Sequence, residues 1–465
     1  SPNASGDAQP RTLVATGGVM AADDAQTMWA SSLRATFVEP KPGAAAPGDG
    51  AMRSDVGEVV AEGPVELALS DGSRVFATRL EGDGAGRSAR LVGPDVMVIR
   101  GNLVLDQLAE VNVQEMPARL GALGPGRASG FRDEVLPRAE GRVGRPRVGG
   151  VPRMQATWRE SLAYADGAVK SRDGTPDRGL LLLQGGVRVR ASREAREAEA
   201  LDADEVQIEL LPRGGAPRAA RAAAAPGAGD AQAIGTMRAV GNVRLEARQW
   251  ADARREGDPR LFRMNAPNVT YDGPSGSAST DGAGTLLVFD PPPPPEPARA
   301  DGPKSPFSPH GTTRFSWKRS LTLERMADGS SRITLERDVV MDHLGDSTAA
   351  TGTVNADRMI ATVRGVEAGG APRAADGGLS LGGPAELTRV RADGRVTVRT
   401  GDVDVEANEF DLDVPTQVGF ARGGDGRLAT VVRRGTAAPA RAHAFRWDLA
   451  KGTLSVEGAR GTIGR

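Results

Sequence analysis

Three histidines, His310, His343 and His443, are the only imidazoles of the chain, and they lie too far apart in sequence for the short spacing that gathers ligands around a metal. His343 alone has carboxylates close by, in Asp342-His343-Leu344-Gly345-Asp346, a grouping that would let an imidazole trade protons or take a metal. The segment is nevertheless expected to be a turn that happens to carry a histidine. Two acidic groups, Asp202, Asp204, Glu205 and Asp402, Asp404, Glu406, offer oxygen ligands for calcium or paired carboxylates for acid–base work. Their off-beat spacing assigns them instead to solvated strand faces. Gly82-Asp83-Gly84-Ala85-Gly86 lacks the Lys-Ser/Thr and the flanking helix of a phosphate loop, so it reads as a plain loop. No G-x-S-x-G nucleophile elbow is present. Cysteine is absent, which excludes thiolate catalysis, disulfides and Cys-ligated zinc together. Asn3-Ala4-Ser5 and Asn268-Val269-Thr270 match a glycosylation triplet that is common by chance. Trp158, Trp250, Trp317 and Trp447 have flat faces suited to sugars, but each sits beside a strand pattern and is expected in core or edge packing. No constellation here argues for an enzyme, and the expectation is a non-enzymatic chain with no cofactor and no metal.

The elements that would position any site are strands. Strict alternation runs through Val65-Glu66-Leu67-Ala68-Leu69, Val187-Arg188-Val189-Arg190, Ile333-Thr334-Leu335-Glu336 and Leu454-Ser455-Val456-Glu457. A period of two with charge on the off beat requires one dry face and one wet face. Asp71-Gly72-Ser73, Ala327-Asp328-Gly329-Ser330 and Ala392-Asp393-Gly394 read as hairpin or strand-to-strand corners. Helical signals are few. Ala191 to Ala200 has good helix formers without a large apolar stripe and suits a long polar hairpin tip equally well, while Leu105 to Ala109 is too short to decide. The fold class expected is all-β, built of stacked short strands.

Composition agrees. Charge is balanced, with 59 Lys+Arg against 60 Asp+Glu, so no global field favours nucleic acid, and no nucleic-acid partner is expected. Only five of the 59 cations are lysine, a bias that fits a GC-rich genome better than phosphate reading. Aromatics are 4% and Gly is 61 of 465 residues, which suits strands with glycine corners better than a compact enzyme core. No apolar run is long enough to span a bilayer as a helix. The polar start Ser1-Pro2-Asn3-Ala4-Ser5 reads as a processed terminus, from which a signal or anchor would already have been removed. Five stretches look like insertions or linkers: 40–50, 117–150, 212–233, 291–311 and 369–383. The expected organisation is therefore a β segment over 10–116, a linker over 117–150, a β segment over 151–290, a Pro-rich linker over 291–311 and a β segment over 312–465.

One phrase recurs: a glycine-bounded pair of alternating apolar residues, then an Ala/Asn-headed strand some 15–30 residues later. Copies are Gly17-Gly18-Val19 with Leu33 to Val38, Gly185-Gly186-Val187-Arg188-Val189 with Ala203 to Ile208, and Val240-Gly241-Asn242-Val243-Arg244-Leu245 with Ala266 to Asp272. The fullest is Gly394-Arg395-Val396-Thr397-Val398 with Val405-Glu406-Ala407-Asn408-Glu409-Phe410-Asp411-Leu412, and Ala442 to Leu449 with Lys451 to Gly458 forms the next rung. These units resemble the OstA-like (organic solvent tolerance-like) repeats of the LptA-like lipopolysaccharide-transport family, as a divergent and expanded member. The resemblance implies a folded-over pair of sheets, a β-taco or β-jellyroll, whose apolar groove shields acyl chains in the periplasm. It also implies units that pair edge to edge with themselves or with other envelope transport proteins during outer-membrane assembly.

The residues agree with that physics. In an open trough the dry face of alternating strands is available to lipid, and burying a twelve-carbon chain gains roughly 10 kcal/mol at most. The candidate lining residues are the on-beat Val187, Val189, Val206, Ile208, Val243, Leu245, Val396, Val398, Val405, Phe410 and Leu412. Their alternative role is to pack on one another in a closed core. The function expected is binding or conducting lipopolysaccharide, or a related amphipathic glycolipid, in the periplasm or cell envelope. Two rivals stand beside it: a structural β-solenoid scaffold without ligand, and a carbohydrate-active β-helix enzyme with convergent acidic residues on one face.

Overall fold

In the computed structural model the glycine-led phrases bend strands instead of ending them. The structure describes residues 11–22, 26–38, 55–70, 72–84, 87–114, 117–131, 151–170, 177–193, 196–211, 234–250, 257–291, 306–307, 310–345, 351–365, 385–424, 426–435 and 438–457. These residues form 27 strands and no helix, and the protein is all-β. The insertions at 40–50, 212–233 and 369–383, the polar start and the Asn3 triplet lie outside the described residues.

The chain divides into two compact units. The first holds β1 (Thr12–Ala22), β2 (Gln26–Val38), β3 (Asp55–Leu69), β4 (Arg74–Asp83), β5 (Ser88–Arg100), β6 (Leu103–Gln114), β7 (Arg119–Leu123), β8 (Gly126–Gly130), β9 (Met154–Trp158), β10 (Ser161–Val169) and β11 (Arg178–Arg193). In β12 (Arg196–Leu210), residues 205–210 belong to the first unit and residues 197–204 to the second. The second unit continues with β13 (Ile234–Gln249), β14 (Arg260–Asp272), β15 (Ser277–Asp281), β16 (Gly284–Asp290), β17 (Gly311–Trp317), β18 (Ser320–Arg325), β19 (Ser330–Leu344), β20 (Thr351–Gly365), β21 (Ala385–Thr400) and β22 (Val403–Asp413). It closes with β23 (Val418–Arg422), β24 (Ala429–Arg433), β25 (Ala440–Ala442), β26 (Ala444–Asp448) and β27 (Thr453–Val456). The division thus falls around residues 197–233, away from the cuts read in the sequence at 117–150 and 291–311. Two strands, β7 and β8, occupy the beginning of the first of those stretches, where small residues pair with β6, β9 and β10. Where it is described, the Ala191 to Ala200 stretch is strand, closing β11 and opening β12, and its tip at 194–195 lies outside the described residues. Leu105 to Ala109 lies within β6.

Many strands are long rather than short, and a register shift divides them. In β13 the pairing with β14 breaks between Val240 and Val243, and in β21 the pairing with β22 breaks between Asp393 and Val396. Ala392-Asp393-Gly394 is therefore an in-strand bend, whereas Leu69 to Ser73 and Met326 to Ser330 close true hairpin turns. A bulge of this kind increases local twist and re-aims the strand, so its two halves join different ladders. In the second unit one half-ladder runs β14 (residues 261–265), β16, β17 and β19 (residues 340–344). The other runs β14 (residues 270–272), β15, β18 and β19 (residues 331–336). Continuing through β20, β21 and β22, the first ladder ends on β24 and β25, and the second on β23, β26 and β27. The first unit repeats the arrangement, with β6 feeding β7 and β10 from one half and β8 and β9 from the other.

The bends are capped by side chains of the preceding element. Asn242 Nδ2 donates to Asp204 Oδ2 at 3.2 Å, Arg395 donates through N and Nη2 to Asp357 at 3.2 and 2.8 Å, and Gln107 N donates to Asp95 Oδ1 at 3.0 Å. Asp204 is thus a bend cap, not merely a solvated carboxylate, while Asp402, Asp404 and Glu406 stay exposed as expected. Gly241 has φ +79°, and a Cβ there would meet Asp204 Cβ at 2.7 Å. Gly241→Ala is expected to destabilise the second unit by about 1–2 kcal/mol from backbone strain alone, with the clash on Asp204 added. The urea midpoint measures it, and an unchanged midpoint would mean the bend does not depend on glycine.

Candidate functional site

A concavity lies in the second unit, between its two half-ladders. One wall is Leu286 and Val288 of β16, Thr313 and Phe315 of β17, and Met341 and His343 of β19. The facing wall is Ile333 of β19, Ala361 and Val363 of β20, Leu387 and Val390 of β21, and Leu412 of β22, with Val414 just beyond. Period two explains the set: along β19, Ile333, Leu335, Val339, Met341 and His343 are buried while Arg332 and Asp342 face water. Because β19 and its neighbours bend, one strand supplies residues to both walls.

The space left between the walls is small. The cavity measures about 40 Å³, where one water's share of the liquid is about 30 Å³. Phe307 fills the rest. It lies in the stretch read as a linker, yet it is 3% exposed and packs over Gly352, where any Cβ would overlap its ring. Gln417 Nε2 donates to Phe307 O at 2.6 Å and to Val414 O at 2.5 Å. Beside the ring, Thr313 Oγ1 and His343 Nδ1 lie 2.9 Å apart, and the Phe307 and His343 ring centroids are 6.2 Å apart. His343 is therefore a buried strand residue and not a turn histidine, because the on-beat position in β19 carries it inward. On the same wall Asp290 accepts from Arg260 Nε at 2.7 Å and has His310 Nδ1 at 3.6 Å. His443 is exposed, and its carbonyl accepts from Gly423 N at 2.9 Å. The site is an apolar slot whose polar lining side chains, Asp290, Thr313 and His343, all lie on the wall of β16, β17 and β19.

Outward faces carry paired charges. Arg90 grips Glu110 through two hydrogen bonds of 3.0 and 2.8 Å, and with help from Asn112 holds its carboxyl down at about 2. Arg389 pairs with Asp411, its Nε donating at 2.7 Å. Glu246, with its side chain 6% exposed, lies beneath Arg244, Arg248 and Arg263. Among the described residues no group of three or more His, Asp or Glu side chains is gathered as a metal set.

No family model and no curated protein matches the chain.

The residues singled out from the sequence divide unevenly over this site. Val187, Val189, Val206, Val243, Leu245, Val396, Val398, Val405, Phe410 and Leu412 are all buried, and Ile208 is half-buried. Val187, Val189, Val206 and Ile208 belong to the first unit, the others to the second. Val398 pairs directly with Val405, Val396 with Ala407, Val243 with Ala266 and Leu412 with Val390. Of the eleven, Leu412 alone lines the slot. The others are buried or half-buried within their own units. Trp158, Trp317 and Trp447 are buried and Trp250 half-buried, in keeping with packing. Sequence reasoning missed Phe307, although a lone large apolar residue in Ser305-Pro306-Phe307-Ser308-Pro309 is a legible signal in a polar, proline-rich stretch.

Proposed function

We propose that the chain is a non-enzymatic carrier of the OstA-like type in the cell envelope, which holds acyl chains of lipopolysaccharide or a related glycolipid between facing half-ladders. The observation that carries this reading is the apolar slot of the second unit, whose polar lining side chains are confined to one wall, an arrangement that fits an amphiphile with its chains and head held apart. Two sheet edges support the expected edge-to-edge pairing. Among the described residues β1 pairs only with β2, and β27 only with β26. Neither β1 nor β27 contains a charge, although free edges are commonly blunted by one, and Leu13, Val14 and Met20 of β1 are 48%, 63% and 66% exposed.

A second reading, the ligand-free β scaffold, is favoured by the filled interior, since the candidate lining residues already bury one another. Parinaric acid, a fluorescent fatty acid, separates the two. The carrier is expected to bind it while folded and to release it to purified lipopolysaccharide more readily than to phosphatidylglycerol vesicles. Absence of uptake, or uptake that lipopolysaccharide does not reverse, would leave the scaffold.

A further inference from the structure

We propose that Phe307 is a built-in plug that occupies, in the unliganded chain, the seat of a linear acyl chain in the second unit. This rests on the carrier reading and adds where the chain enters and what it displaces. Four observations lead to it. First, β16 and β17 stay in register to Asp290 and Gly311, an end that about two to five residues would close. Residues 291–310 connect them instead, a length that compact folds keep mainly for functional loops or for linkers.

Second, the seat is shaped for the ring. Gly352 is flat beneath it, and alanine there would overlap the ring carbons. Third, the plug is held by its backbone as well as by its side chain. Gln417 has φ +55°, a left-handed conformation unusual for a residue with a side chain, and in it the amide reaches both Phe307 O and Val414 O. This clamp holds a carbonyl outside the strand ladders, so breaking it leaves both ladders paired. Fourth, the seat lies against the buried Thr313–His343 pair as well as the apolar side chains, so the polar head of a chain replacing the ring has hydrogen-bonding partners within the slot. Once the ring leaves, its volume joins the cavity that already lies against it.

Phe307→Ala removes the plug, and parinaric acid is expected to bind roughly ten- to a hundredfold tighter than to the unaltered chain, the factor that burial of one phenyl ring represents. Phe445→Ala is the control for a cavity opened elsewhere in the same unit, since Phe445 is fully buried and lies outside the slot. It is expected to leave affinity unchanged. The chain has no cysteine, so Phe307→Cys supplies a single thiol. Its reaction with a water-soluble disulfide reagent is expected to speed up at least about tenfold when lipopolysaccharide is added. Circular dichroism confirms folding of each variant before binding is read. Equal gains for Phe307→Ala and Phe445→Ala, or binding by the unaltered chain that Phe307→Ala does not tighten, would overturn the plug while sparing the carrier. A thiol rate indifferent to lipopolysaccharide would do the same. If neither the unaltered chain nor Phe307→Ala takes up parinaric acid, the carrier reading fails and the plug with it.

Discussion

Trp317→Ala is expected to destabilise the second unit by about 3–5 kcal/mol, the range for deleting a large buried aromatic side chain. Trp317 ends β17 where the chain leaves one half-ladder for the other, and it is 2% exposed. Its indole Nε1 donates to Gly282 O at 3.0 Å, tying β17 to the break between β15 and β16. The seat is specific, because a Cβ on Gly284 would crowd the indole and meet Asn265 O at 2.8 Å. Alanine would leave a void at the corner and an unpaired carbonyl. Trp317→Phe keeps a six-membered ring and loses the donor, so the missing hydrogen bond should cost about 1 kcal/mol on top of the lost volume. Urea unfolding with amide exchange followed over β15 to β18 measures both. A shift below about 1 kcal/mol for the alanine variant would show that the corner is held by the backbone alone.

Glu246→Gln comes next in size, at about 1.5–3 kcal/mol, the range for hydrogen bonds to a charged group. Burial of the Glu246 carboxyl opposes its charge, but the hydrogen bond from Arg263, the nearby charge of Arg248 and the hydrogen bond from Arg244 together overcome that and hold its pKa below the ordinary carboxylate range. Arg263 Nε donates at 2.8 Å and Arg244 Nη2 at 3.2 Å. A pKa lower in the folded chain than in the unfolded one means that folding is favoured by ionisation. The stabilisation is therefore complete above the unfolded value of about 4.3 and drains away as pH falls through the folded value. The gap in urea midpoint between unaltered chain and Glu246→Gln should be widest at neutral pH and should shrink toward acid. A gap that grew toward acid would remove the three arginines as its cause. The guanidinium groups remain partly in water, which keeps the effect below that of a fully buried pair.

Much of the fold is legible locally, because its rule is local. Period-two residues such as Val396 and Val398, or Val405 with its charged neighbours Asp404 and Glu406, state which face is dry without reference to any other part of the chain. That alternation decided all-β, and it placed ten of the eleven chosen side chains in the interior. The glycine-led phrases were visible for the same reason, although their role was not. Gly241 and Gly394 look like turns because positive φ is needed at turns and at bulges alike. Which of the two occurs depends on whether a neighbouring strand continues to pair on both sides of the break. It does so here through β14 and β22.

The candidate site was much less legible. Its walls come from residues as distant as Leu286 and Leu412, and only the bending of β19, β20 and β21 turns them toward one another. His343 could be told from a turn histidine only by its place in the β19 register. Phe307 acquires meaning only where Gly352 and Gln417 meet it, more than a hundred residues away in the case of Gln417. The amino-acid sequence by itself determined that strands with one dry face would form, since side-chain alternation is a property of adjacent residues. Tertiary structure alone decided how those faces close, because a cavity is set by contacts between remote strands and by the one ring that happens to fill it.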